Sequence, residues 1–298
     1  MTGFVIHHSL IYVLFITGLF AGTVDAIAGG GGLISLPILL GVGIPPHLAL
    51  GTNKLQSMVG TAVAMHTYYR QGWIKREGLW RGLLFSFWGA FLGAVISQVL
   101  SGGFLKKLIP FLLIGVLFYI ILSPRLGQED KKPKMKESHF YAIFGTLLGL
   151  YDGFLGPGAG AFWIFVLVFC LGQNLLRATA YTKVFNLNTN IAAFLCFALG
   201  GNVDYSLALC MITGQLIGGR LGARLAIRQG AKLVRPLFIL VVSITMMTLI
   251  FKNYKEYFII IKFQQIKEIL GIISIIITVA IIGFWSKYYV TNKKDGIS

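Results

Sequence analysis

Two carboxylates and two ammonium groups lie in stretches too apolar to hold charge without a reason. Asp25 stands in G-T-V-D-A-I-A-G-G-G-G-L-I-S-L-P, residues 22–37, just ahead of Gly29, Gly30, Gly31 and Gly32. Asp152 stands in G-L-Y-D-G-F-L-G-P-G-A-G-A-F-W, residues 149–163, ahead of Gly156, Gly158 and Gly160. Lys54 and Lys183 follow each break, beside Thr52 and Asn53 in the first case and Thr182 and Asn186 in the second. A charged side chain at membrane depth costs roughly 3 kcal/mol on insertion scales, so each needs a partner or a task. For the aspartates the tasks are proton or coupling-ion binding, or capping the N–H groups freed where the helix breaks. For the lysines they are attraction of an anion, snorkelling to the interface, or neutralising an aspartate of the same half. Start-of-helix N–H groups would add to an anion site. Asn53, Asn186, Thr52 and Thr182 are the neutral hydrogen-bonding candidates. Four successive glycines weaken a helix at every position and expose backbone that must then line a polar cavity.

The surroundings of these residues are those of a membrane protein. The 298-residue chain is 56% hydrophobic and 12% charged, with mean hydropathy +0.78. Soluble domains carry roughly 25% charged residues. A formal charge of +16 raises nucleic acid as a partner. The basic residues, however, fall in short connections between apolar runs, the pattern of loops beside anionic lipid. Cys170, Cys196 and Cys210 are far apart, with no C-x-x-C or other metal-ligand spacing, so neither metal nor cofactor is expected. The first 28 residues lack Lys and Arg, which argues for a retained helix over a cleaved signal peptide.

The apolar runs repeat. In residues 1–122 they cover 10–28, 33–43, 48–69, 79–100 and 104–122. A polar linker, 123–138, follows with Pro124, Pro133 and five basic residues. In 139–251 the runs are 139–155, 160–172, 178–199, 205–227 and 232–251. The runs 33–43 and 160–172 are too short for a straight crossing of a ~30 Å core at 1.5 Å per residue. Each is a half-helix or the arm of a re-entrant hairpin. Segment 252–298 adds one further span, 269–285, outside the duplication. The expected fold is all-α and polytopic, with two inverted repeats of about five elements each and an extra C-terminal span. Gly89/Gly93 and Gly214/Gly218/Gly222, at four-residue spacing, read as helix-packing positions.

An odd number of elements per half inverts the second half relative to the first, and the charges test this. With the N-terminus outside and all eleven elements crossing, 18 of the 26 Lys and Arg fall on the inner side and 6 on the outer. The remaining two are Lys54 and Lys183. The bias places the N-terminus in the periplasm and the linker and C-terminus in the cytoplasm.

Two segments carry a family likeness. The run D-A-I-A-G-G-G-G-L-I-S-L-P with H-L-A-L-G-T-N-K-L-Q-S (47–57) resembles the TauE/SafE sulfite-exporter family, also called the toluene-sulfonate uptake permeases. G-x-x-D-G-F-x-G-P-G-x-G and T-K-x-x-N-x-x-T-N are similar to its second repeat, and the likeness covers about residues 10–251. It implies a multi-pass permease of the bacterial inner membrane for a small organic or sulfur-containing anion such as sulfite or a sulfonate. With no nucleotide motif, the expectation is a secondary-active transporter using a proton, a cation or the substrate's own gradient. Its candidate partners are the anionic solute, the coupling ion, the lipid bilayer and, as a homo-oligomer, further copies of the chain. The alternatives are a non-transporting membrane scaffold, which needs no matched buried charges, and an intramembrane enzyme. An enzyme needs a nucleophile–base or metal set, and none is found.

Overall fold

The computed structural model describes residues 8–75, 77–99 and 129–230, with six positions between 233 and 243. Chain contacts divide the protein into two units, and every described residue belongs to the first, Met1–Gly102 with Leu126–Thr245. The second unit lies outside the described residues. So do the spans expected at 104–122 and 269–285 and the segment 252–268.

All elements among the described residues are helical. They are α1 His8–Ala28, α2 Gly32–Gly41, α3 Pro46–Arg70 and α4 Leu79–Val99 in the first half. In the second, α5 spans residues 137–154 as Glu137–Phe140, a π-helical turn Tyr141–Gly145 and Thr146–Phe154 in succession. Then follow α6 Ala159–Leu171, α7 Leu175–Leu199 and α8 Tyr205–Gln229. Both short runs are short helices. Among the described residues, two helices, Leu10–Ala28 within α1 and Leu79–Val99, are long and apolar enough to cross a membrane.

Start and stop signals are local. Pro45-Pro46 opens α3, where a missing N–H costs nothing. Asn174 and Asp204 cap α7 and α8, accepting from Arg177 N and Leu207 N.

α1 packs along α8, α4 along α5, and α3 along α7. Exchanging the first four helices with the last four maps these pairings onto themselves. Small residues allow the close approach. A Cβ on Gly214, Gly218 or Gly222 would lie 2.2, 2.1 and 2.4 Å from the carbonyl oxygens of Phe15, Leu19 and Thr23. On Gly89 and Gly93 it would lie 2.5 and 2.1 Å from those of Thr146 and Leu150. The spaced glycines are therefore packing positions, as read from their spacing.

The outer surface is apolar, and a cluster of polar groups lies inside among apolar side chains. Ile16, Phe20, Trp80, Leu84, Trp88, Leu92, Leu209 and Leu221 point outward. Thr52, Asn53, Lys54, Gln56, Asp152, Lys183, Asn186 and Gln215 are buried. Hydrocarbon outside and hydrogen-bonding groups inside is the arrangement a bilayer stabilises.

The polar ends are tied together. Lys75 N donates to Tyr181 Oη at 3.3 Å, joining the loop after α3 to the start of α7. Lys131 N donates to Gly172 O at 2.6 Å, and Asp130 pairs with Arg177 at 3.6 Å. The α6–α7 turn thus shares a side with the linker ahead of α5.

Candidate functional site

Each break is made by a glycine in the left-handed region. Gly29 has φ 74° and Gly156 has φ 87°, a conformation that L side chains rarely adopt. The chain leaves α1, turns at Gly29, and restarts as α2; it leaves α5, turns at Gly156, and restarts as α6. The two breaks meet. A Cβ on Gly29 would lie 2.5 Å from Gly160 C, and one on Gly160 would lie 2.5 Å from Gly29 Cα. Backbone crosses backbone here, so neither position has room for a side chain.

Each lysine donates to a backbone carbonyl at a break, that of Asp25 also accepting from Gly29 N at 2.8 Å. Lys54 Nζ donates to Asp152 O at 2.5 Å and to Asp152 Oδ1 at 2.6 Å. Lys183 Nζ donates to Asp25 O and, at 3.1 Å, to Asp25 Oδ2. Each lysine pairs with the aspartate of the opposite half, which removes the reading in which each neutralises its own half's aspartate. Neither lysine snorkels: Lys54 is 1% exposed and Lys183 0%. Asp25 also accepts from Gly31 N at 3.4 Å, so carboxylate pairing and backbone capping coexist in one residue.

The two pairs are not equivalent. The side chains of Lys54 and Asp152 are 2% and 5% exposed, and Thr189 Oγ1 donates to Asp152 Oδ2. The Lys183 side chain is fully buried, but that of Asp25 is 17% exposed.

Both pairs border one small polar cavity. Its walls include Asp25, Asn53, Lys54, Asp152, Asn186 and the glycines 29, 32, 156, 158 and 160. Ser57 and Asn190 complete its polar lining. Lys183 reaches it through Asp25 rather than lining it. Gly30 and Gly31 lie outside the lining, with Gly31 spent on Asp25. Thr52 and Thr182 are also elsewhere. Thr52 Oγ1 accepts from Asp204 N at 2.9 Å, and Thr182 Oγ1 donates to Ala178 O at 2.8 Å. Both hydroxyls are engaged in holding helices.

Helix N-termini do reach the cavity, but not those expected. α3 begins at Pro46, so Lys54 sits more than two turns in, beyond the free N–H groups of the first turn. The ends that open on the cavity are those of α2 and α6, at Gly32 and at Ala159–Gly160.

Sequence reading passed over Ser35, Thr189 and Gln215. Ser35 Oγ donates to Asn53 Oδ1 at 2.5 Å, Thr189 holds Asp152, and Gln215 Nε2 donates to Gln56 Oε1. Thr189 was visible in the second-repeat motif, next to Asn190. Gln215 had a signal too, as the one amide among the spaced glycines of α8.

The chain is similar to proteins named as membrane transporters. A probable membrane transporter protein of Haemophilus influenzae is 39% identical over 231 residues, covering 78% of this chain and 91% of that protein. The probable membrane transporter protein YfcA of Escherichia coli K12 is 36% identical over 253 residues, covering 85% and 94%. The probable membrane transporter protein ORF9 of a Sinorhizobium species is 39% identical over 232 residues, covering 78% and 89%. No solved structure matches the chain. The sequence profile of the family described as Sulfite exporter TauE/SafE matches residues 14–249, the stretch that carries both breaks and both Lys–Asp pairs, and the chain belongs to that family.

Proposed function

We infer that this protein is a secondary-active transporter that moves a small oxyanion, such as sulfite or an organic sulfonate, across the bacterial inner membrane. The family name supplies sulfite as the first candidate, and the relatives named as membrane transporters support the class. The observation that carries the reading is the reciprocal pairing of Lys54 with Asp152 and Lys183 with Asp25, across two broken helices and around one cavity. Two inverted repeats, with the N-terminus periplasmic and the C-terminus cytoplasmic, agree with the exchange of helix pairings and with the charge bias.

The charges at the cavity balance, two aspartates against two lysines. Among the described residues, both cavity lysines are already paired, so an arriving anion meets no free cation. A proton bound to an aspartate releases its lysine to the anion, so proton and anion enter together. Linkage makes the effect reciprocal: each ligand strengthens binding of the other. Asp25, the more exposed of the two carboxylates, is the proton's entry point. The N-termini of α2 and α6 add donors around the anion.

Proteoliposomes test the reading. Labelled sulfite and methanesulfonate should accumulate with an imposed pH gradient and exchange without one. Equal flux in protein-free liposomes for every oxyanion tried would refute it.

A further inference from the structure

We propose that Gln215, on a helix that does not line the cavity, fixes the cavity's hydrogen-bonding polarity by holding Asn53 as a donor. The proposal rests on the oxyanion reading above and deepens it, assigning a positioning residue for selection of ligands rich in acceptor oxygens.

The argument follows a relay of three buried amides. Gln215 is 2% exposed, Gln56 0% and Asn53 3%. Gln215 Nε2 donates to Gln56 Oε1. Gln56 Nε2 donates to Asn53 Oδ1 at 2.8 Å and to Ser57 Oγ at 3.0 Å. Asn53 Oδ1 also accepts from Ser35 Oγ at 2.5 Å, which occupies both of its lone pairs. The Asn53 NH₂ is left over, and it lies on the cavity side: a Cβ on Gly32 would be 3.6 Å from Asn53 Nδ2.

An amide reversed on its own would set NH₂ against NH₂ or oxygen against oxygen inside a dry core. The three must therefore reverse together or not at all. Ser35 cannot decide the direction. Its hydroxyl has Gly31 O as a second acceptor at 3.1 Å, so it can donate to Asn53 or accept from it.

The far end decides. Gln215 Oε1 rests in a notch where α1 and α3 lack side chains. A Cβ on Gly60 would lie 2.0 Å from this oxygen, and one on Gly22 would lie 2.6 Å from it. The notch offers glycine Cα–H groups, which are weak hydrogen-bond donors and suit a carbonyl oxygen. An NH₂ group there would point its hydrogens at those Cα–H hydrogens. Oxygen in the notch fixes Nε2 toward Gln56, and each link then fixes the next, so Asn53 meets the ligand as a donor.

Binding to the purified full chain in detergent tests this, by calorimetric titration with sulfite and with methanesulfonate. Gln215→Leu should weaken binding of both about fivefold to tenfold, and Asn53→Ala by at least as much. The double variant should bind no more weakly than Asn53→Ala alone, because Gln215 acts only through Asn53. Losses that multiply in the double variant, or an unchanged Kd in Gln215→Leu, overturn the relay while the oxyanion reading stands. Absence of binding by the unaltered protein to either anion overturns both. If Gln215→Leu does not fold, Gln215→Met, unbranched and of similar length, carries the same comparison.

Discussion

Removing one member of the Lys54–Asp152 pair is the sharpest perturbation available. The side chains are 2% and 5% exposed and 2.6 Å apart, so bulk solvent does not compensate the missing charge. Lys54→Met deletes two hydrogen bonds to Asp152 and strands its carboxylate with Thr189 as its remaining side-chain partner. Breaking a buried pair on one side costs about 3–5 kcal/mol, whereas replacing both partners is often neutral. Lys54→Met should therefore lower the thermal midpoint in detergent sharply. Lys54→Met with Asp152→Asn should restore most of the loss, since the amide oxygen of the introduced side chain can still accept from Thr189. Transport should separate from stability: the restored double variant should lose most sulfite flux, because one of the two cations offered to the anion, the one that lines the cavity, is gone. Recovery of flux together with stability would refute the anion role and leave Lys54 as a counter-ion. A double variant as unstable as the single would refute the stranded-charge argument itself.

Three further outcomes follow from the same geometry. Lys183→Met should destabilise less than Lys54→Met, because Asp25 is 17% exposed and keeps Gly31 N as a donor; parallel melting curves decide it. Asp25→Asn should flatten the pH dependence of flux more than Asp152→Asn does, since Asp25 is the more accessible carboxylate. Equal pH profiles in both variants would remove the entry role. Gly29→Ala and Gly160→Ala should each abolish a monodisperse elution profile, as the added Cβ would lie 2.5 Å from opposing backbone atoms. For topology, reporter fusions at Lys132 and Lys294 should both read cytoplasmic, and a periplasmic signal at either would overturn the orientation.

Much of the architecture was open to reading before any coordinates. Hydropathy placed the helices because in a bilayer every backbone group must bond within its own segment, so apolar run length maps onto helix length. The element 33–43 appears as Gly32–Gly41 and 160–172 as Ala159–Leu171. The breaks were legible because glycine runs cost helix stability everywhere, and nothing in an apolar segment tolerates that without need. The matched Asp25/Asp152 and Lys54/Lys183 stood out for the same reason: charge in hydrocarbon has to be answered.

What answers it is a matter of three dimensions. Asp152 lies 98 positions from Lys54 and Asp25 158 from Lys183, and no local spacing links such residues. Pairing across the halves arises because α3 and α7 pack side by side, so each lysine reaches the break of the other repeat. The same packing turned Thr52 and Thr182 away from the cavity, since a helix presents only one face to it and the neighbouring position points elsewhere. It also brought in Gln215, whose part depends on a notch between Gly22 and Gly60 that exists only once α1, α3 and α8 meet. Sequence periodicity reports how one helix divides between lipid and protein; which polar group meets which is decided by how the helices cross.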